Sequence, residues 1–269
     1  MKYTRTTTVT ILSAAALTLA SGCAQDRSSS LSSDTSVRSS YQSQQPSTPQ
    51  SAHTSDLVIG TDLAFEGVPT YDRPATELSL AEIANELIAM HNRDRQLVRS
   101  SIDPSQQDPQ AVARVSAIDH AHTARLREIV DYIGWPTRGT VGLEATEGAF
   151  LVVQHAGNDT AFQSRCLAML HDLADRGQLP KPYVALLTDR IRVFNDQPQL
   201  YGTQMTLAKD TNGVMRPIPS SPIHLPEELD ARRAKMGMPA HGKFVTAIAQ
   251  AYAASLVEPN ERFASVETE

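Results

Sequence analysis

The sequence predicts a mainly α protein, a compact multi-helix domain with one small β-hairpin near its C-terminal part. Three observations predict this class. Apolar residues recur every three or four positions in five successive segments, capping residues with Gly or Pro bound those segments, and a later segment surrounds an Asn-Gly dipeptide. With 269 residues, 41% of them hydrophobic, the chain can bury one sizeable core.

The first two helices have the clearest boundaries. A Ser-x-x-Glu capping box at 79–82 precedes a periodic segment, which predicts a helix over 80–99. A second helix is predicted over 109–133, and Gly-Trp-Pro at 134–136 ends it. The glycine can adopt the left-handed conformation, the tryptophan can fold back as an apolar cap, and the proline forbids continuation.

Three further helices complete the all-α body, at 144–156, 160–175 and 182–194. The first of them contains a run of adjacent apolar residues, which predicts burial on most sides. Asp159 is the expected N-cap of the next helix, and Pro182 suits the first turn of the last.

The pattern then changes from helical to extended. Residues 200–219 surround Asn212-Gly213 and predict a β-hairpin with a tight turn. Two shorter helices are predicted after it, at 226–236 and 243–256.

The N-terminus has the features of a signal for export. Lys2 and Arg5 precede an apolar segment that ends in Leu-Ala-Ser-Gly-Cys at 19–23. This ending resembles the lipobox of bacterial lipoproteins, which implies cleavage after residue 22 and a lipid on Cys23. The alternatives are an ordinary secretory signal that contains a cysteine and a short buried helix. Because Ala24 and not Asp follows the cysteine, the resemblance implies the outer membrane if the host has two membranes.

The predicted organisation has four parts. Residues 1–22 are a lipoprotein signal peptide, and 23–56 are the lipidated cysteine with a disordered tether rich in Ser, Gln and Pro. Residues 57–257 form a single mostly helical domain, and 258–269 are a frayed acidic tail. The predicted location is the cell envelope, with the chain anchored by lipid to a bacterial membrane.

Two polar groups in apolar helices are candidates for chemistry. His155 follows a buried run and could be a general base or a ligand, with Asp189 as the carboxylate that orients it. Alternatively, His155 bonds a backbone carbonyl or caps its own helix. Arg190 could bind a carboxylate or phosphate through its guanidinium. Alternatively, Asp189 pairs with Arg192, and Arg190 joins the helices to the hairpin.

Further candidates are less specific. Tyr201 and Gln204 suit either the lip of a pocket or tight packing of strand against helix. Gln154 adjoins His155 but points roughly 100° away around the helix. Asp119 lies in the second helix beside two histidines, which are two positions apart and therefore diverge.

The composition of the chain and the motifs that it lacks argue against several classes of function. A net charge of −6 without a Lys/Arg-rich run argues against a nucleic-acid partner. The sequence lacks GxSxG, Walker, GxGxxG and CxxC motifs, which argues against common serine hydrolases, P-loop NTPases, dinucleotide dehydrogenases and thioredoxin-like enzymes. We predict no metal site and no cofactor. Cys166 lies on an apolar stripe and is expected to be an inert core thiol.

Several ordered motifs resemble one family. They are Gly134-Trp135-Pro136, Gln154-His155-Ala156, Asp189-Arg190 and Tyr201-Gly202-Thr203-Gln204, together with Asp119, Gly142, Phe162-Gln163, Arg232-Arg233 and Gly237. This pattern is similar to an uncharacterised bacterial family, the domain of unknown function 6624. The resemblance supports the domain boundaries and nominates residues, but it implies no reaction.

Two functional hypotheses remain. The first is a tethered binding or interaction module for an envelope ligand or protein, with a groove between the third and fifth helices that the hairpin covers and that Arg190, Tyr201 and Gln204 line. The second is a hydrolase with His155 as general base and Asp189 as its orienter. No Ser or Cys nucleophile accompanies that base, so water would have to attack. The sequence therefore favours the binding module and leaves catalysis undecided.

Overall fold

The structure is a computed structural model that describes residues 67–100, 108–157 and 159–261, with side chains described up to residue 97 and up to residue 253 in the first and last of these ranges. The predicted signal peptide, Cys23, the tether and residues 262–269 lie outside the described residues.

The described chain is mainly helical, as predicted. The α-helices are α1 (Leu80–Ser100), α2 (Pro109–Ile133), α3 (Arg138–Val141), α4 (Leu143–His155), α5 (Thr160–Asp175), α6 (Lys181–Phe194), α7 (Leu229–Lys235) and α8 (His241–Glu261). Strands β1 (Met205–Lys209) and β2 (Met215–Pro219) form the hairpin, and short 3₁₀ turns lie at Ala75–Glu77 and Pro226–Glu228.

The predicted helix signals act as expected. Ser79 and Glu82 form the capping box: the Ser79 backbone N–H donates to Glu82 Oε2 at 2.8 Å, and the Glu82 N–H donates to Ser79 Oγ at 3.3 Å. Asp159 accepts the Phe162 N–H at 3.0 Å at the start of α5. Gly134 has a φ of +72°, and the following tryptophan is buried in the core.

The centre of the fold is α4, in which nine of thirteen residues are buried. Helices α1 and α2 pack on it, and α5 and α6 pack on each other and on its C-terminal half. Gly148 permits a close approach of α1 and α4, because a Cβ there would lie 2.3 Å from the Leu87 carbonyl oxygen of α1. Further along both helices, His155 of α4 contacts Asp94 of α1. Because the later residue of α4 meets the later residue of α1, the two helices run in the same direction.

The hairpin is antiparallel, with Met205 opposite Pro219 and Lys209 opposite Met215. The Asp210 N–H donates to the Val214 carbonyl at 2.8 Å across the turn that contains the predicted Asn-Gly dipeptide. The prediction of a hairpin at this place is confirmed.

The structure differs from the prediction in one additional helix and in the end of the last helix. The short helix α3 lies in the Gly-containing loop and was not predicted, because it is four residues long and has no apolar period; reciprocal Thr137 and Thr140 contacts cap it. The last helix extends to Glu261, beyond the predicted end at residue 256. Among the described helices, none is both long and apolar enough to cross a membrane.

Candidate functional site

Asp189 lies in the middle of α6 and is fully buried. Its carboxylate accepts the backbone N–H groups of Leu200, Tyr201 and Thr203, and the hydroxyl of Thr203, at 2.7–3.2 Å. Burial raises the pKa of this carboxyl, and the hydrogen bonds from the segment around Thr203 oppose that shift. Asp189 therefore anchors the chain that leads into the hairpin.

Arg190 performs a similar structural task. Its Nε donates to the backbone carbonyl of Gln154 at 2.9 Å, and its Nη1 donates to Gln204 Oε1 at 3.2 Å. Gln204 also donates to the Leu186 carbonyl at 3.3 Å. The alternative in which Arg190 joins the helices to the hairpin is confirmed. The expected Asp189–Arg192 pair does not form, because Arg192 donates to the Pro198 carbonyl instead.

The Tyr201–Gln204 segment packs against the helices and the hairpin around it. The Tyr201 carbonyl accepts from Arg233 Nη1 at 2.6 Å. Gly202 has a φ of +61°, and a Cβ there would lie 2.8 Å from His241 Nε2. Thr203 and Gln204 are buried. Of the two alternatives for this segment, tight packing is the one that the structure supports.

The carboxylate that contacts His155 is Asp94, not Asp189. His155 is the last residue of α4, and its Nδ1 lies 2.5 Å from Asp94 Oδ1 on α1. Asp94 is 5% exposed, whereas the His155 side chain is 14% exposed. The predicted pairing of His155 with Asp189 is wrong, because both oxygens of Asp189 are taken by the donors before the hairpin.

Asp119 of α2 completes a cluster with these two residues. One ligand atom from each of Asp94, Asp119 and His155 lies within 4.8 Å of the others. We call these three residues the carboxylate–imidazole cluster. Burial raises the pKa of Asp119 to about 6 and the negative charge of Asp94 adds to this shift, whereas the charges of His155 and Arg190 oppose it.

Two more histidines lie around the cluster. His122 is buried one turn after Asp119, and burial lowers its pKa to about 4 although the charge of Asp94 opposes the shift. His120 is exposed, so the predicted divergence of the two histidines of α2 is confirmed. His91 lies one turn before Asp94, is 9% exposed, and has no hydrogen-bond partner for Nδ1 among the described residues.

Arg190 is a buried positive group whose charge acts on the two carboxylates of the cluster. Burial lowers the pKa of its guanidinium to about 10, and the negative charges of Asp119 and Asp94 oppose this shift. Both of its described hydrogen bonds go elsewhere, to the Gln154 carbonyl and to Gln204. Arg190 therefore influences the cluster through its charge and not through a direct hydrogen bond.

Gln154 does not belong to the cluster. Its side chain is buried, and neither amide atom has a partner among the described residues. Its backbone carbonyl accepts from Gln163 and Arg190, so this residue helps to hold α4, α5 and α6 together. This agrees with the prediction that Gln154 and His155 face different sides of their helix.

Asp94 is the functional candidate that the sequence interpretation missed. A signal was present, because Ile83, Leu87 and Met90 are buried on one face of α1 and Asp94 continues that stripe at the same spacing. A carboxylate at a core position of an amphipathic helix needs partners. The same test finds His122 on the buried face of α2.

The arrangement offers two kinds of chemistry. An imidazole held by a buried carboxylate can act as a base, and two carboxylates with one imidazole can hold a cation. Cys166 contributes to neither: it is fully buried, and burial raises the pKa of its thiol to about 12, which agrees with the expected inert core thiol.

Comparison with known proteins shows to which family the domain belongs. No curated protein and no solved structure matches the chain. One family model does match, over residues 81–257, and this range includes α1 from its second residue, every helix from α2 to α7, the hairpin and the carboxylate–imidazole cluster. The match covers more than half of the chain, so the protein belongs to a family of unknown function (DUF6624).

Proposed function

We propose that this protein is a tethered envelope domain that binds a small cationic ligand at the carboxylate–imidazole cluster. The observation that carries the proposal is the convergence of Asp94, Asp119 and His155 from three different helices, with their ligand atoms within 4.8 Å of one another. We place the site here and not beside the hairpin, because Asp189, Arg190 and Gln204 already have hydrogen-bond partners there.

The charge balance favours a cation over an anion. Asp94 and Asp119 bring two carboxylates to one point, and Arg190 is the buried positive group whose charge acts on both. Asp94 Oδ2 is buried and has no partner among the described residues. A buried carboxylate oxygen without a donor is costly, and a bound cation would supply its missing partner.

The proposed site also has access to solvent on one side. Asp94 is buried, whereas Asp119 and His155 are only partly covered. A small ligand would therefore reach the cluster at the C-terminal end of α4. The negative end of that helix lies at His155 and adds to the attraction for positive charge.

Binding can be tested on the full chain in mild detergent. Putrescine, arginine and divalent metal chlorides serve as cationic probes, and the melting temperature is measured with each. At least one probe should raise the melting temperature of the wild type and not that of Asp94→Asn. The control is Asp172→Asn on the exposed face of α5, which should respond as the wild type does. Equal shifts in all three proteins would contradict the proposal.

The location is a separate proposal and rests on the sequence of the N-terminus. A diacylglycerol on Cys23 would hold the domain at a membrane surface, since each buried methylene contributes about 0.8 kcal/mol. Metabolic labelling with palmitate should mark the wild type, which should sediment with membranes. Cys23→Ser should lose the label and appear in the soluble fraction. Labelling of Cys23→Ser, or an unlabelled wild type, would contradict lipidation.

Hydrolysis is the second candidate function, and the 2.5 Å contact between His155 and Asp94 favours it. A carboxylate that fixes the ring of a partly exposed histidine prepares it to accept a proton from water. Hydrolysis of p-nitrophenyl esters by the full chain, lost in His155→Gln and retained in the exposed control His171→Gln, would support this function. Absence of hydrolysis by the wild type would leave cation binding as the better account.

A further inference from the structure

We propose that Asp94, Asp119 and His155 are the protein ligands of one divalent transition-metal ion, of the Mn²⁺, Fe²⁺, Co²⁺ or Zn²⁺ class. This inference rests on the proposed function, because it names the cation that the cluster binds. Two carboxylates and one imidazole from α1, α2 and α4 would form the site.

The spacing of the donor atoms fits such an ion. Ligand atoms at about 2.0–2.2 Å from one ion lie roughly 3–4 Å apart. In the described structure, one donor atom from each residue lies within 4.8 Å of the other two.

A second observation points to a ligand independently of the spacing. The Asp94 side chain is 7% exposed, and its Oδ2 is buried without a partner among the described residues. Its Oδ1 contacts His155 Nδ1, so the orphaned oxygen belongs to the residue at the centre of the cluster. Buried polar atoms in folded proteins nearly always have partners, and a metal ion would be the partner here.

The donor set selects the class of metal. The imidazole nitrogen favours Fe²⁺, Co²⁺ and Zn²⁺ over Mg²⁺ and Ca²⁺, which prefer oxygen ligands, and the two carboxylates also suit Mn²⁺. Three protein ligands leave coordination positions free, and partial exposure of Asp119 and His155 allows solvent to occupy them. His91 is one turn before Asp94 and also has an unpartnered Nδ1, so it is available as a further polar group beside the site.

The positive charge of Arg190 is compatible with this assignment. Two carboxylates meet at this place, and one guanidinium acts on them through its charge, so negative groups outnumber positive ones there. The described hydrogen bonds of Arg190 go to Gln154 and Gln204, so Arg190 does not occupy either carboxylate. Arg190 would then limit the affinity without occupying the site.

The test is metal binding by the full chain, purified in mild detergent and stripped with a chelator. CoCl₂ or ZnCl₂ alone is the probe in equilibrium dialysis, and MgCl₂ and CaCl₂ are the comparison. The wild type should bind one equivalent of Co²⁺ or Zn²⁺ and much less Mg²⁺ or Ca²⁺. Asp119→Asn and His155→Ala should each weaken binding by about 10–100-fold or more. The matched control, His171→Ala on the exposed face of α5, should bind as the wild type does.

Folding and specificity are checked in the same samples. Circular dichroism and urea unfolding show whether each variant is folded. Asp119 is partly exposed, and the change to Asn is conservative, so Asp119→Asn is the variant chosen to retain the fold. The visible spectrum of bound Co²⁺ gives a readout on the wild type that needs no variant, and it should show nitrogen and oxygen coordination.

The outcomes separate this inference from the proposed function. No stoichiometric Co²⁺ or Zn²⁺ binding by the wild type, or binding that the Asp119 and His155 variants do not weaken, would overturn the metal site. If putrescine or arginine then binds in a manner that depends on Asp94, the proposed cation site survives and the metal does not. If no cation binds, both are wrong, and the cluster is an internal ion pair.

Discussion

Asp94 and Asp189 are both buried aspartates in the middle of a helix, yet their surroundings differ. Asp189 receives donors on both oxygens from the segment before the hairpin. Asp94 has one partner, His155, and its second oxygen has none among the described residues. A saturated carboxylate stabilises a fold, whereas a half-satisfied one is a candidate for ligand binding.

The structural role of Asp189 gives the first stability prediction. Asp189→Asn places an amide donor against backbone N–H groups, so at least one hydrogen bond is lost and two donors face each other. We expect the free energy of unfolding to fall by about 2–4 kcal/mol. Urea unfolding measures this, and Asp172→Asn in the exposed pair with Arg176 should change it by less than about 1 kcal/mol. Equal effects would show that Asp189 is not an anchor.

His122 gives a pH dependence of defined sign. Its pKa is lowered from 6.5 to about 4, so the unfolded chain binds a proton in this interval that the folded protein does not. Its contribution to stability is complete above pH 6.5 and is lost as the pH falls towards 4, by about 2–3 kcal/mol in total.

Asp119 acts in the opposite sense in the same range, because its pKa is raised to about 6 and the stability that it contributes is lost as the pH rises through that value. The measurement is therefore a difference between proteins. Denaturant midpoints of His122→Asn should decline less than those of the wild type between pH 6.5 and 4, whereas exposed His171→Asn should follow the wild type. Parallel curves for all three proteins would exclude a buried neutral His122.

At the scale of elements, the close approach of α1 and α4 positions the cluster. Gly148 lies where a Cβ would be 2.3 Å from the Leu87 carbonyl oxygen and 3.1 Å from the Cβ of His91. The two helices can therefore pack closely enough for Asp94 to reach His155 at the end of α4. A glycine in a helix interior is costly unless packing requires it, and here packing does.

Gly148→Ala should separate these two helices. Overpacking of this kind costs about 1–3 kcal/mol, which outweighs the gain of up to about 1 kcal/mol in helix propensity. Thermal unfolding with Gly139→Ala as the control measures it, since a Cβ at Gly139 meets its nearest atom at an ordinary 3.8 Å. Gly139→Ala should change stability by less than about 0.5 kcal/mol. A Gly148→Ala protein as stable as the control would contradict the close contact.

The sequence was sufficient to predict most elements, because local signals define them. The apolar period and the capping residues placed α1, α2 and α5 within about one residue, and the Asn-Gly dipeptide located the hairpin turn. Helix α3 was not predicted, because the side chains of two threonines stabilise its single turn and it has no apolar stripe. Elements that depend on side-chain caps alone are therefore the difficult ones.

The candidate site was predicted only in part, because it depends on contacts between distant helices. His155 and Asp119 were identified, but Asp94 was not, although it is 61 residues from His155 in the sequence and 2.5 Å away in space. Asp189, Arg190 and Gln204 were equally prominent in the sequence, and in the structure they bond the hairpin to α6 and α4. Polarity in an apolar helix indicates that a residue has a partner, but the fold decides which one.

At the scale of the whole molecule, the cluster lies where three helices of the family domain meet. The family model matches residues 81–257, which contain all three residues of the cluster, and Cys23 lies outside this range. The proposed lipid anchor and the proposed cation site are therefore independent. Cys23→Ser should change the location of the protein and leave cation binding as it is.

The most direct test of the central claim is a crystal structure of the full chain grown with ZnCl₂, with an anomalous difference map at the zinc edge. The account predicts one strong peak at about 2.0–2.2 Å from a carboxylate oxygen of Asp94, a carboxylate oxygen of Asp119 and a ring nitrogen of His155. An anomalous peak confined to exposed histidines such as His171 or His224, with His155 still in direct contact with Asp94, would contradict it.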